Sequence, residues 1–81
     1  MFKARTADGR NNISGLRVKE FRKALKISQR ELSDRLQVVG LDIDKNAVQR
    51  IESGERFVTD IEIIALSKCF NVTVNNLLGV K

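Results

Sequence analysis

Lys45, Asn46, Gln49 and Arg50 crowd into the stretch DKNAVQRIESGER, residues 44–56, and carry the groups that bond to nucleic-acid bases. Lysine and arginine can donate to guanine O6 and N7, asparagine and glutamine can pair with adenine, and all four types also suit phosphate. Wound as a helix at 100° per residue, Lys45, Gln49, Ser53, Asn46 and Arg50 share an arc of roughly 140°, and Ala47, Val48 and Ile51 lie opposite. One side can enter a core and the other is left for a partner. An ordinary exposed amphipathic helix carries the same types, so this stretch alone leaves both readings open.

The flanking sequence supplies elements to position it. Proline is absent and glycines are few, and no strand-like alternation appears, so short helices are expected throughout. Ser28 with Glu31 forms a capping-box pattern, flanked by Ile27 and Leu32 as a hydrophobic staple, and Thr59 with Glu62 repeats it beside Val58 and Ile63. These predict helices over 29–39 and 60–70. A helix over 14–25 precedes them, with Val18, Phe21 and Leu25 inward and Arg17, Lys19 and Lys23 outward. Asp44 caps the opening stretch and Gly54 ends it, since glycine tolerates the left-handed position after a helix. A short fifth helix follows Thr73. A helix at 29–39 followed by one at 44–53 is the arrangement of a helix-turn-helix, in which the second element lies in the major groove.

Composition narrows the chemistry. With no histidine and one cysteine among 81 residues, zinc sites of the usual spacing and imidazole acid–base catalysis are excluded or nearly so. Cys69 reads as a small packing residue. Asp42 and Asp44 beside Lys45 could hold magnesium, but Asp-x-Asp before a helix is more simply a turn and a cap. No catalytic residue, metal or cofactor is expected. A chain this short buries about 60–70% of its unfolded surface, so one domain of modest stability is expected, helped by self-association. The apolar runs fall far short of the roughly 18 residues of a membrane span. MFKARTADGRNN has no apolar h-region, and a cytoplasmic location is expected. The net charge is +5, and residues 1–30 carry nine Lys or Arg against two acids. The basic character lies at the front of the chain.

The segments SQRELSDRL, NAVQRIESGER and IALSKCFNVTVNNLL, in that order and spacing, resemble the Cro/repressor-type helix-turn-helix family, also called the xenobiotic response element family. The resemblance spans about residues 13–79. It implies an all-α, five-helix, lambda-repressor-like domain that binds double-stranded DNA. It places Lys45, Asn46, Gln49 and Arg50 at base-facing or flanking positions, and gives backbone contacts to Ser28, Gln29, Arg30, Ser53 and Arg56. Arg22 and Glu52 match a pair that forms an internal ion pair in some members. Two departures stand out. The connection from Leu36 to Val48 is longer than the family's usual turn, and Asp44 replaces the more common Ser or Thr. A carboxylate caps well but repels phosphate, so no phosphate contact is expected at Asp44.

Beyond the motif, Ile61, Ile64, Leu77 and Leu78 exceed what a small core needs and are expected to form a two-fold dimer face. Residues 1–12, with Lys3, Arg5 and Arg10, are expected to be a flexible basic arm preceding a domain over 13–81. The reading is a sequence-specific transcriptional regulator, a homodimeric repressor on a palindromic operator and not an enzyme. The competing reading is an antitoxin or adaptor whose main partner is another protein.

Overall fold

The structure is a computed structural model, and it describes residues 5–80; expectations for Lys3, and for the ends of the arm and of the domain, fall outside that span. Five α-helices follow in order: α1 Gly15–Ala24, α2 Gln29–Val38, α3 Lys45–Ser53, α4 Asp60–Phe70 and α5 Val74–Leu78. The all-α expectation holds over these residues.

Local chemistry sets most of the helix ends. The Ser28 hydroxyl accepts from the Glu31 N–H at 3.0 Å, and Asp44 accepts from the Ala47 N–H at 2.8 Å. Thr59 and Glu62 close the full reciprocal box, and Thr73 caps α5 by accepting from Asn76. Each cap satisfies donors that the first turn leaves unpaired. At Ser28 only half of the expected box forms, because the Glu31 carboxylate takes Arg35 one turn later at 3.0 Å. Helix α1 is capped differently. Ser14 makes no cap bond, and the Asn12 side-chain oxygen instead accepts from the Gly15 N–H at 2.8 Å.

The long connection between α2 and α3 is tied down along its length. Gly40 lies at φ +96°, its N–H donates to the Gln37 carbonyl at 3.0 Å, and the Leu41 N–H reaches back to the Leu36 carbonyl at 2.9 Å. That pair of bonds is a Schellman closure, which ends α2 sharply. Buried Ile43 and a bond from the Gln37 amide to the Ile43 carbonyl, 3.1 Å, then fix the chain where α3 begins. The extra residues lead into α3 by a held path.

All five helices meet in one core. Val18, Leu32, Leu36, Val48, Ile51, Leu66 and Leu77 are almost wholly buried, and Phe21 packs on Phe70 with ring centroids 5.6 Å apart. Three expectations need correction. Leu25 follows the end of α1 and is exposed, so the inner stripe of that helix stops at Phe21. Leu77 cannot belong to a dimer face, because it is 0% exposed and fills the centre of the core, while Leu78 is half-buried. Ile61 and Ile64 do face outward, at 72% and 51% exposed, and Val38 and Val39 at the end of α2 are exposed as well. Residues 10–12, assigned above to a flexible arm, are hydrogen-bonded to the end of α3. Cys69 is half-buried on α4, and burial pushes its thiol up, toward the unreactive protonated form.

Candidate nucleic-acid interface

The outer face of α3 presents Lys45, Asn46, Gln49, Arg50 and Ser53, all exposed, while Val48, Ile51 and Glu52 are buried beneath. The helical period thus separates the two sets as the residue types demand. Lys45 and Asn46 share a shallow groove with Arg30, Ser33 and Gln37 of α2, rimmed by Asp34 and Asp44. Asn46, Gln49, Arg50 and Ser53 line a second, running on to Glu55. Arg30 therefore flanks α3 on the side of its N-terminus, where a backbone running past a base-reading helix would lie, and Ser28 is exposed at the start of α2. Asp34 and Asp44 on the rim of the first groove disfavour a phosphate placed next to them.

Glu52 is the anchor beneath this face. Its carboxylate accepts from Arg22 Nε at 2.7 Å and Nη2 at 3.1 Å, and from the Gln29 amide at 3.1 Å. Arg22 also donates to the Ile27 carbonyl at 2.9 Å. One carboxylate so joins α1, the start of α2 and α3. The bidentate geometry suits arginine specifically, and Glu52 holds the guanidinium above its ordinary range, firmly cationic. Gln29 donates one of its two amide hydrogens to Glu52.

Arg56 carries an internal ion pair in addition to the role that the resemblance implies. Its Nη1 donates to the Glu62 carboxylate at 2.6 Å, and Glu62 is also the closing member of the α4 capping box. The guanidinium is drawn toward the start of α4 by the buried Glu62 carboxylate six residues on. The Arg56 side chain stays partly exposed, and its other donors are not taken up by Glu62.

Residues 10–12 are the part of the site that the sequence reading missed. Arg10 Nη2 donates to the Glu52 carbonyl at 2.7 Å, and the Asn11 N–H donates to the Gly54 carbonyl at 2.8 Å. The Asn11 amide reaches the Glu55 carbonyl at 2.8 Å, and the buried Asn12 amide spans the Ile51 and Arg56 carbonyls at 3.1 and 2.7 Å. Helix C-termini leave carbonyls unpaired, and here the front of the chain supplies the donors. Asn12 ahead of a helical pattern was a readable cap signal, but its long-range bonds had none.

The comparisons agree with this geometry. A family model described as Helix-turn-helix matches residues 18–77. No curated protein matches the chain significantly. Among solved structures, the chain is similar to the restriction-modification controller protein C.AhdI from Aeromonas hydrophila, with 26% identity, a TM-score of 0.68, and 79% of this chain and 86% of that one covered. It is also similar to the P22 c2 repressor protein, solved in complex with synthetic operator 9T, with 26% identity, a TM-score of 0.71, and coverage of 86% and 98%.

Proposed function

We propose, from the premise that this chain belongs to the Cro/repressor-type helix-turn-helix family, that it is a sequence-specific DNA-binding transcriptional regulator reading base edges through α3. The observation that carries this reading is the outer face of α3, where five exposed polar side chains sit on a helix whose other side is locked into the core. Lys45, Asn46, Gln49 and Arg50 take the base-facing roles, and Ser28, Gln29, Arg30, Ser53 and Arg56 take the backbone. Repression by occluding a promoter is the simplest mode of action, in the cytoplasm, with no cofactor. The similarity to a repressor solved on its operator supports the choice of double-stranded DNA as partner.

The test is selection of bound duplexes from a random pool at about 150 mM salt, where loose surface contacts are already screened. An enriched sequence is the expected result, and a pool without enrichment would falsify the proposal. Against the enriched duplex, Arg50→Ala is expected to cost about 1–3 kcal/mol and to relax preference at one base position. A fluorescence titration over single-base variants of the duplex checks this. Equal weakening on every variant would assign Arg50 to phosphate.

A homodimer on an inverted repeat, with half-sites about 34 Å apart, extends the same reading. The face that supports it is exposed Ile61 and Ile64, which share a shallow groove with Val39, Leu41 and Lys68. In analytical ultracentrifugation, Ile61→Glu with Ile64→Glu is expected to yield monomers with little loss of thermal stability, since both side chains are exposed already. An unchanged mass would place the dimer contact elsewhere. The same apolar face also favours the second reading, an antitoxin or adaptor, and a wild-type monomer that enriches no duplex would select it.

A further inference from the structure

We propose that Arg10, Asn11 and Asn12 form a strap that positions α3 for reading DNA. The proposal rests on α3 being the reading helix, and it adds residues that touch neither base nor phosphate. Between them the three residues donate to the carbonyls of Ile51, Glu52, Gly54, Glu55 and Arg56, which cover the last turn of α3 and the loop beyond. Asn12 is the best placed of the three. Its amide uses both hydrogens on α3 and its loop, while its oxygen caps α1 through Gly15, so one buried side chain fixes the angle between two helices.

Two glycines are shaped to this contact. A Cβ at Gly15 would overlap the Ile51 carbonyl oxygen and crowd Arg10, and a Cβ at Gly54 would collide with the Arg10 side chain. Arg10 thus lies across the end of α3 between two positions that have no side chain. A cation there also complements the negative end of the helix dipole. Glu52 is consequently held at both ends: its carboxylate by Arg22 and Gln29, and its carbonyl by Arg10. Arg50, one turn from these bonds, inherits its position from them.

Amide hydrogen exchange, read residue by residue, separates a positioning role from general stabilisation. The variants are Asn12→Asp, which keeps an acceptor for Gly15 but turns an oxygen toward the Ile51 and Arg56 carbonyls, and the milder Arg10→Ala in case the first does not fold. In the full chain, either is expected to strip protection from the Gly54 and Arg56 amides while the Leu66 amide in α4 keeps its own. Affinity for the enriched duplex is expected to fall on the order of tenfold, as for one disturbed base contact. Affinity for a scrambled duplex of equal length and composition should stay unchanged. Protection retained at Gly54 and Arg56, or lost evenly along the chain, overturns the strap. An equal loss on both duplexes also overturns it, since it would mean that Arg10 or Asn12 meets the phosphate backbone directly. Should the wild-type chain enrich no duplex, the proposed function fails, and the exchange data still decide whether the strap holds α3.

Discussion

Arg22→Ala lowers the free energy of unfolding by about 3–5 kcal/mol, the loss expected when one partner of a buried ion pair is removed and the other stays behind. The Arg22 and Glu52 side chains are only 12% and 4% exposed, so solvent screens the pair little. Without Arg22, the Glu52 carboxylate keeps only the Gln29 amide, and the Ile27 carbonyl loses its guanidinium donor. Three helices are loosened by one change. Urea unfolding should show a lower midpoint with an unchanged slope, the signature of lost stability without a change in exposed surface. Arg35→Ala is the internal control. Its partner Glu31 is about half exposed, and breaking such a surface pair is expected to cost no more than about 0.5 kcal/mol. Equal midpoint shifts for the two variants would mean that Glu52 finds water or a proton cheaply, and that the anchor beneath the outer face of α3 is not one.

Leu77→Ala is expected to cost about 2–5 kcal/mol, because it empties a site in the centre of the core that its surroundings can only partly refill. A domain of this size has a stability of only about 4–12 kcal/mol, so the variant approaches the limit of folding. Leu78→Ala, at the half-buried neighbouring position, should cost much less. Calorimetric melting temperatures of the two variants make the comparison. A Leu78→Ala effect as large as that of Leu77→Ala would mean that α5 sits in a different rotation, with its other leucine inward.

That pair also marks the limit of what could be read from residue types. Signals confined to one turn were legible: Ser28, Asp44 and Thr59 cap their helices as their spacing requires, a fifth helix follows Thr73, and α4 has the expected bounds. The alternation on α3 was legible too, since nine residues are enough to separate Val48 and Ile51 from Lys45 and Gln49. Helix α5 has five residues, too few for a period to show itself, so the choice between adjacent leucines is made by the packing of the other four helices. Arg56 was undecidable for a related reason. Its partner Glu62 also reads as a cap residue, and only the path of the loop brings the two together. The bonds from residues 10–12 involve short polar side chains and partners some 40 residues away, and no local pattern encodes that.

The same separation in sequence gives the N-terminal strap a place in time. Loop closure must be met entropically before so distant a contact rewards the chain, so such bonds come late in folding compared with a helix cap. On the ribosome, Asn12 emerges early but cannot complete its bonds until the carbonyl of Arg56 has been synthesised. The end of α3 is therefore finished only after its beginning, and a nascent chain carries the face proposed to read DNA before it carries the bonds that hold that face in register.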